Sequence, residues 1–289
     1  FIGTPNGFEE SIIPANPEAF ARIRSKARGK LIEVASAMCG TPVGKDALLV
    51  GIGGRYEFRN KGIDIFIDAL AALDREGCRE RQVCAFVMIP SGHNGPDRNL
   101  LRKLSGEGCA DYTTQVTHQL MNPEWDTVTR RFAEQGLKNV PGGQVKVFFI
   151  PSYLNGSDGI FNQRYYDLMS GLDLTVFPSY YEPWGYTPLE SVAFGVPTLT
   201  TSLAGFGLWV RSHYQGEHPG IAVVDRDDSN YTEVVKAVRD RIREMASLDK
   251  ETRLKYMENA RDVSRIALWQ NQIEYYKQAY SLALDKVVS

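Results

Sequence analysis

The chain has 289 residues, and its 33 lysines and arginines nearly balance its 35 aspartates and glutamates, giving a formal net charge of −2 at neutral pH. This balance excludes the broad basic face that nucleic-acid binding ordinarily requires. No apolar run approaches the roughly 20 residues of a membrane-spanning helix. The cysteines, Cys39, Cys78, Cys84 and Cys109, show neither metal-ligand spacing nor a dense disulfide framework. We therefore expect free thiols in a reducing cytoplasm, no metal site, and neither nucleic acid nor membrane as a partner.

Short apolar runs recur along the chain and are typical of strands buried in a parallel sheet. The first run, 48–51, ends in glycines and is followed by a helical pattern that places Ile63, Phe66, Ile67 and Leu70 on one face. Further strands are predicted over 83–90, 144–151, 173–179, 196–201 and 220–225, and helices over 161–170, 188–195 and 229–246. This alternation predicts an α/β fold, a Rossmann-like three-layer doubly wound parallel sheet.

Two segments depart from the alternation of strands and helices. Residues 91–143 are polar and helix-like, so we predict a helical insertion between two strands. One long final helix is predicted over about 262–285, because an apolar stripe runs along it through Ile266, Trp269, Ile273, Tyr276 and Tyr280. The stripe can pack on its own domain or bind a partner, and the pattern alone favours the first.

A glycine-rich turn, "GIGGRYEFRNKG", links the first predicted strand to the helix that follows it. Glycines such as Gly54 let backbone amides approach a ligand closely, and a helix N-terminus attracts anions. The spacing is not G-x-G-x-x-G, so the dinucleotide fingerprint is absent. Arg55 and Lys61 follow instead, and a guanidinium fork with an ammonium group suits a diphosphate. The turn predicts a phosphate site, although a tight turn with solvated basic residues has the same pattern.

A second turn, "YYEPWGYTPLE", follows the fourth predicted strand and so lies at the sheet edge where open α/β folds bind ligands. Thr187 is predicted as the cap of a helix that begins at Pro188. Gly185, Tyr186 and Thr187 then present backbone amides at the N-terminus of that helix. This turn is a second candidate for binding phosphate.

The second turn also carries two acids, Glu182 and Glu190. Pro183 restricts the backbone of Glu182 in the loop, and Glu190 lies about one turn into the helix. One acid can contact a sugar while the other binds ribose hydroxyls. Capping of helix dipoles and glycoside hydrolysis are the alternatives. A hydrolase does not need two anion-binding turns at one sheet edge, so the two turns favour a sugar whose leaving group is a diphosphate.

Six segments of the chain resemble the glycogen synthases of eukaryotic type, glycosyltransferase family 3. They are "TPNG" (4–7), "GRYEFRNKGIDIFIDALAAL" (54–73), "VKVFFIPSYL" (145–154), "VFPSYYEPWGYTPLES" (176–191), "GVPTLTTSLAGFG" (195–207) and "SRIALWQNQIEYYKQAY" (264–280). The run "YEPWGYTP" is the most specific of these matches. The resemblance implies that residues 1–289 are the C-terminal, nucleotide-sugar-binding domain of a GT-B glycosyltransferase. The N-terminal GT-B domain is expected as its partner within a longer protein.

The resemblance also assigns roles to residues of both turns. Arg55 and Lys61 are expected to bind the diphosphate of UDP-glucose, and Glu182 to contact the donor glucose and assist its transfer. Glu190 is expected to hold the ribose, and Tyr165 to lie beside the uracil. The remaining predicted substrate-binding residues are Gly54, Trp184, Gly185, Tyr186 and Thr187. Because the cations and the turns stabilise the leaving diphosphate, no metal or other cofactor is expected.

The implied reaction is retaining transfer of glucose from UDP-glucose to the non-reducing end of an α-1,4-glucan such as glycogen. An enzyme of the same fold with another donor or acceptor, as in ADP-glucose or sucrose chemistry, is one alternative. A nucleotide-sugar-binding module without catalysis is another. Since one half of the cleft cannot both hold the reactants and exclude water, we expect this chain alone to make no glucan. A homo-oligomer remains open.

The chain departs from the family pattern in two places. None of His93, His118, His213 and His218 takes the role of the family's donor-binding histidine, and we expect them at the polar surface or at helix ends. Only Arg261 and Arg265 stand where the family carries an arginine-rich regulatory stretch. Regulation of the family type is therefore not predicted.

Overall fold

The computed structural model describes residues 3–14, 16–77, 80–108, 111–214 and 219–288, with 286–288 as backbone. In this part of the chain the strands are β1 (Leu48–Gly53), β2 (Val83–Met88), β3 (His93–Pro96), β4 (His118–Leu120), β5 (Val145–Phe149), β6 (Leu174–Val176), β7 (Thr198–Thr201) and β8 (Ile221–Val224). The helices are α1 (Pro17–Cys39), α2 (Ile63–Glu76), α3 (Arg98–Leu104), α4 (Thr127–Glu134), α5 (Tyr165–Met169), α6 (Tyr186–Ala193), α7 (Gly205–His213), α8 (Tyr231–Ser247), α9 (Lys250–Arg265) and α10 (Trp269–Val288). Two short 3₁₀ turns, Glu10–Ile12 and Pro123–Trp125, complete these elements.

The six predicted core strands form one sheet in the order β5-β2-β1-β6-β7-β8, and every neighbouring pair is parallel. The three strands β1, β2 and β5 are buried along their whole length, as their unbroken apolar runs predict. The predicted parallel sheet is therefore confirmed. The strand order reverses between β1 and β6, which makes the carboxyl ends of these two strands the switch point of the sheet.

Helices cover both faces of the sheet, because successive side chains of each strand point to opposite faces. Leu49 joins one buried cluster, to which α1, α5, α6, α7 and α9 contribute. Leu48 and Val50 join the other cluster, to which α2, α4 and α8 contribute. The arrangement is the three-layer doubly wound fold predicted from the sequence.

Helix α1 was not predicted, although its two ends carry ordinary signals. Asn16 caps the helix by accepting a hydrogen bond from the amide of Ala19 at 2.9 Å, and Pro17 occupies the first helical position. Gly40 ends the helix with a φ of 69°, in the left-handed region. The helix buries Leu31 and Val34 against the sheet. Helix α7 was also missed by the sequence reasoning.

The insertion between β2 and β5 is more than helical. Residues 91–143, predicted as a helical insertion, do contain α3 and α4. They also contain the antiparallel pair β3–β4, in which His93 pairs with Leu120. Strands of four and three residues give too few alternating positions to be recognised from sequence.

The predicted single C-terminal helix over about 262–285 is wrong at its start, because residues 250–265 form the separate helix α9 and α10 begins only at Trp269. The break is made by Phe8 from the other end of the chain. Its amide donates to the carbonyl of Ala267 at 2.8 Å, and its carbonyl accepts from the amide of Trp269 at 3.1 Å. These bonds replace the intrahelical ones, so the helix stops and restarts.

A buried ion-pair cluster anchors the start of β6. Asp173 lies at the amino end of the strand and accepts hydrogen bonds from Arg24 at 2.6 Å and from Arg28 at 2.8 Å. The amide of Leu49 donates to the same carboxylate at 2.9 Å. The cluster therefore joins α1, β1 and β6, the elements on which the carboxyl-edge turns depend.

Candidate active site

The two predicted turns meet at the carboxyl edge of the sheet. The glycine-rich turn over 54–62 follows β1, and the second turn follows β6, which pairs with β1 through Val50 and Leu174. The amide of Tyr180 donates to the carbonyl of Asn60 at 2.8 Å, so the two turns are bonded to each other. Gly62, with a φ of 68°, packs so closely on the other turn that a Cβ there would collide with the carbonyl of Pro178. Glycine is therefore required at position 62.

Lys61 and Glu182 form an ion pair across this junction. Their side chains are 13% and 19% exposed, so the pair is shielded from most of the solvent. Two residues predicted from separate turns to act in catalysis are thus in direct contact. The carboxylate of Glu182 neutralises an ammonium group that a bound phosphate can also neutralise.

The backbone around Glu182 is held by part of the segment 195–207, which the sequence matched to the family but to which no role was assigned. The amide of Glu182 donates to the carbonyl of Leu203 at 3.1 Å, and the amide of Gly205 donates to the carbonyl of Glu182 at 3.1 Å. The amide of Phe206 donates to the carbonyl of Trp184. The segment before α7 therefore pairs with the loop as a short parallel bridge. The signal for this contact was a further glycine-containing segment, "SLAGFG", directly after β7.

The start of α6 differs from the prediction. The helix begins at Tyr186, and its cap is Gly185 with a φ of 103°, so Thr187 lies in the first turn and is not the cap. Only glycine adopts this cap conformation without strain. The amides of Tyr186 and Thr187 belong to the first turn, where helical geometry leaves amides without an intrahelical partner. The predicted phosphate-binding role of this turn stays a prediction.

A cavity of about 390 Å³ lies beside the junction and brings predicted residues of both turns together. Its lining includes Gly54, Arg55, Tyr165 and Thr187. The other lining residues are Tyr56, Met88, Pro90, Ser152, Tyr153, Leu154 and Asn155. The Arg55 side chain is 77% exposed and pairs with Glu57 at 3.0 Å, so the structure does not lock it in the cavity. The mixture of apolar walls and a few polar groups is typical of small-ligand sites.

Tyr165 is packed tightly at the base of this cavity. A side chain at Gly53 would collide with its ring, so the glycine makes room for it. Its hydroxyl is buried and has no hydrogen-bond partner among the described residues. Burial raises the pKa of Tyr165, and the neighbouring charges of Glu190 and Tyr166 act in the same direction. The hydroxyl is therefore a neutral donor that a ligand or a water molecule can satisfy.

Glu190 is bound by Tyr166, which the sequence reasoning missed. The Tyr166 hydroxyl donates to Oε1 of Glu190 at 2.8 Å, and its ring stacks on Phe194 at 5.3 Å between centroids. Burial raises the pKa of Glu190, and the hydrogen bond from Tyr166 opposes this rise. Nothing in the sequence distinguishes which of the adjacent Tyr165 and Tyr166 bonds Glu190.

Trp184 and Tyr186 are not part of the cavity wall. Trp184 packs against the rings of Phe206 and Trp209, with centroid separations of 6.0 and 6.2 Å. Its indole N–H is buried without a partner among the described residues. Tyr186 is 44% exposed. The structure therefore places Trp184 in the support of the loop, and a substrate contact for either residue stays a prediction.

Among the described residues, no histidine or cysteine lines the 390 Å³ cavity. His118 is buried, contrary to the expected surface position, and its Nε2 lies 2.9 Å from the carbonyl of Asp158. His213 ends α7, as expected. Cys39 and Cys84 are free and buried, whereas Cys78, Cys109 and His218 lie outside the described residues.

Neither a metal site nor a membrane span is found in the described part of the chain. Across those residues, no three His, Cys, Asp or Glu side chains are grouped so that they could hold a metal ion. The helices described are all too short or too polar to cross a membrane.

Solved structures with this architecture define its class. WaaG, a glycosyltransferase involved in lipopolysaccharide biosynthesis, matches with a TM-score of 0.50 at 17% identity, over 94% of this chain and 54% of WaaG. Anabaena HepE, solved in complex with UDP and glucose, matches with a TM-score of 0.51 at 16% identity, over 96% of this chain and 55% of HepE. The fold is that of one Rossmann-like domain of a GT-B glycosyltransferase.

Sequence comparison identifies the family. The family model for glycogen synthase matches residues 99–289. Glycogen [starch] synthase isoform 2 of Saccharomyces cerevisiae is 28% identical over 300 residues, covering 81% of this chain and 43% of the yeast protein. Glycogen [starch] synthase of Neurospora crassa is 28% identical over 290 residues, covering 81% of this chain and 41% of that protein. The chain belongs to the glycogen synthase family, and it spans about two fifths of the length of these relatives.

Proposed function

We propose that this chain is the donor-binding half of a retaining glucosyltransferase that transfers glucose from UDP-glucose to the non-reducing end of an α-1,4-glucan. The observation that carries the proposal is the Lys61–Glu182 pair, which lies where the two glycine turns meet. A cavity of about 390 Å³ borders the same turns. The names of the relatives, which are glycogen [starch] synthases, support a glucan as the acceptor.

Such a site must above all stabilise the negative charge that develops on the leaving diphosphate. Lys61 supplies a shielded ammonium group, and the exposed Arg55 can turn from Glu57 towards the phosphates when the donor binds. The first-turn amides of α6 add partial positive charge at the same edge. In a site that excludes water, such preorganised groups lower the barrier to cleavage of the glucose–phosphate bond. The proposal requires no metal ion.

The nucleoside part of the donor is assigned to the cavity and to Glu190. The Tyr165 ring forms one wall for the uracil, and the Glu190 carboxylate accepts hydrogen bonds from the ribose hydroxyls. Once Lys61 pairs with phosphate, Glu182 is released towards the glucose and stabilises the positive charge that forms at its anomeric carbon. HepE, which shares the fold, was solved with UDP and glucose, and this supports a UDP-sugar as the ligand.

The acceptor glucan is assigned to a further domain of a longer protein. The curated relatives are more than twice as long as the part matched here, which leaves room for such a domain. Transfer requires the acceptor hydroxyl at roughly 3 to 3.5 Å from the reacting carbon in a site closed to water. Two facing domains meet this requirement, whereas one open sheet edge does not.

Calorimetric titration with UDP and ADP tests the donor site on this chain. We expect UDP to bind and ADP to bind more weakly. The double variant Arg55→Ala, Lys61→Ala should lose about 3 to 6 kcal/mol of binding free energy, at about 1.5 to 3 kcal/mol per charge-assisted contact. The double variant Arg265→Ala, Lys277→Ala removes two exposed cations elsewhere and serves as the control. Equal UDP affinity in both double variants would refute the assignment.

Incorporation of radiolabelled glucose into glycogen tests the reaction, in the longest natural form of the protein. Glu182→Ala should lower turnover by about two orders of magnitude or more, the scale of losing one electrostatic contact to the transition state. Its affinity for UDP should change little, since Glu182 is assigned to the glucose. Near-normal turnover in this variant would remove Glu182 from the catalytic residues.

A further inference from the structure

A buried arginine stands directly behind the junction of the two turns. Arg226 follows β8 by two residues and is 8% exposed. Its guanidinium donates to the carbonyl of Pro178 and lies 5.0 Å above the centre of the Tyr180 ring. No carboxylate among the described residues is within ion-pair distance of it. Burying a guanidinium without an ion pair costs free energy. An arginine is therefore expected at such a position only where it makes contacts that no other side chain can make.

The two groups that Arg226 contacts belong to the segment between β6 and Glu182. This segment is also the one that touches the glycine-rich turn. The carbonyl of Pro178 accepts from the Arg226 guanidinium and also lies so close to Gly62 that a Cβ there would collide with it. The amide of Tyr180 donates to the carbonyl of Asn60. Lys61 lies between Asn60 and Gly62, so Arg226 supports the backbone contacts that flank the Lys61–Glu182 pair.

We infer that Arg226 is a positioning residue, which holds the two turns in register so that Lys61 meets Glu182. It does so without touching the donor cavity. It lines a second cavity of about 660 Å³ together with Phe58, Arg59, Asn60, Asp64, Arg131, Tyr180 and Tyr231, and none of these residues lines the 390 Å³ cavity. The consequence for catalysis rests on the proposed function, whereas the register itself is a property of the fold.

The chemistry of arginine suits this role better than that of lysine. A planar guanidinium can donate in its plane to a carbonyl while its face stacks on an aromatic ring. Arg226 does both at once, with Pro178 and Tyr180. Burial lowers the pKa of Arg226, and the charge of Asp64 in the first turn of α2 opposes the change. A lysine at this position keeps the charge and one donor but loses the stacking.

Chemical labelling of lysines tests the register independently of catalysis. Lys61 is shielded and paired, so reductive methylation followed by mass spectrometry should label it slowly. In Arg226→Met we expect labelling of Lys61 to become at least about threefold faster, as a local opening exposes the ammonium group. The exposed Lys255 and Lys277 should keep their rates. Arg59→Met removes an exposed cation from the same cavity and should leave Lys61 protected.

The outcomes of the labelling experiment are decisive in both directions. An unchanged rate at Lys61 in folded Arg226→Met overturns the inference. If circular dichroism shows that Arg226→Met does not fold, Arg226→Lys takes its place. Its labelling rate at Lys61 should fall between those of the wild type and an Asn60→Pro, Gly62→Ala variant that breaks the same contacts. A wild-type rate in Arg226→Lys, with the stacking lost, likewise overturns the inference.

Kinetics of glucose transfer, measured in the longest natural form of the protein, test the consequence for catalysis. Arg226→Met should lower kcat by about 10- to 100-fold, since small displacements of reacting groups are costly, while the KM for UDP-glucose stays within about threefold. In a Glu182→Gln background the same substitution should change kcat by less than about twofold, because coupled residues are not additive. The positioning role is contradicted if the effects of the two substitutions on kcat multiply in the double variant. It is also contradicted if Arg226→Met raises the KM and leaves kcat unchanged. If the wild type transfers no glucose, the proposed function fails, and the labelling experiment alone decides the role of Arg226.

Discussion

Asp173 illustrates how single residues set the stability of this fold. Burial by itself raises the pKa of Asp173, but the charges of Arg24 and Arg28 and the amide of Leu49 outweigh it, so the pKa lies below its ordinary value. A carboxylate whose pKa is lowered by folding stabilises the folded state above its unfolded pKa of about 4. That stabilisation is lost as the pH falls through the lowered value.

Replacement of Asp173 by asparagine should therefore strongly destabilise the folded state at neutral pH. We expect Asp173→Asn to lower the free energy of unfolding by about 3 to 5 kcal/mol, because two largely buried guanidinium groups lose their partner. Urea titration at neutral pH and at pH values below about 4 should also show a weaker acid dependence in the variant than in the wild type. Asp262→Asn breaks an exposed pair with Arg265 and should cost no more than about 1 kcal/mol. Similar losses in the two variants contradict the prediction.

The hydrogen bond between Tyr166 and Glu190 gives a pH-dependent test of the proposed ribose contact. Tyr166→Phe removes the bond that opposes the raised pKa of Glu190, so the carboxylate becomes protonated at a higher pH. If the carboxylate binds ribose, UDP affinity should begin to fall at a higher pH in the variant, as calorimetry across the mildly acidic range can show. Tyr256→Phe removes a matched tyrosine–glutamate bond, to Glu244 at 2.8 Å, and should leave the profile unchanged. Overlapping profiles for Tyr166→Phe and the wild type contradict the ribose contact.

At the scale of single residues, the sequence identified functional candidates whose neighbours in the chain form a recognisable pattern. Arg55 stands out because it follows Gly54, and Lys61 because it directly precedes Gly62 in the same turn. Glu182 stands out because prolines and rings surround it. Tyr166 and Arg226 were missed because an isolated tyrosine or arginine has no pattern. Their roles depend on Glu190 and Pro178, which folding brings next to them.

At the level of elements, α2 offers a direct comparison between its two ends. Gly62 caps its start with a φ of 68°, and Gly77 ends it with a φ of 83°. A Cβ at Gly62 would meet the carbonyl of Pro178, whereas a Cβ at Gly77 would meet nothing within 4 Å. Both positions have a positive φ that favours glycine, but only at position 62 would a side chain also collide with a neighbouring group.

Alanine substitutions at the two glycines should therefore have unequal effects. Gly77→Ala should cost about 1 to 3 kcal/mol of unfolding free energy, the strain of a side chain in a backbone region that residues other than glycine rarely adopt. Gly62→Ala should cost clearly more and should also weaken UDP binding, because the glycine-rich turn must move away from Pro178. Urea denaturation and calorimetry measure the two effects. Equal destabilisation would show that the close approach at Gly62 is unimportant.

Elements were predictable where their pattern is local. The six core strands were found because a strand buried on both faces is a continuous apolar run, as in β2 and β5. The break between α9 and α10 was not predictable, because it depends on bonds to Phe8 at the opposite end of the sequence. The start of α6 was misplaced by two residues, since Thr187 and Pro188 imitate a cap that Gly185 provides.

At the scale of the whole molecule, the two helix layers share one sheet and should unfold together. Phe66 of α2 is fully buried in one layer, whereas Trp184 and Trp209 pack against the other. Phe66→Ala should lower the free energy of unfolding by about 3 to 5 kcal/mol. The midpoints from tryptophan fluorescence and far-ultraviolet circular dichroism should shift equally. A tryptophan transition that stays in place while the dichroism shifts would show that the layers unfold separately.

The reversal of strand order between β1 and β6 also has a consequence for the way the molecule is made. The amide of Leu49 meets the carboxylate of Asp173 across a sequence separation of 124 residues. During synthesis, β1 can pair with β2, and β2 with β5, but the other edge of β1 stays open until β6 emerges. An unpaired hydrophobic strand edge is prone to aggregation. The chain between β1 and β6 must also close into a loop, at a cost in conformational entropy, before the contacts that stabilise the closed loop can form. Because Lys61 is encoded before this delay and Glu182 after it, the nascent chain forms the Lys61–Glu182 ion pair only when the two halves of the sheet join.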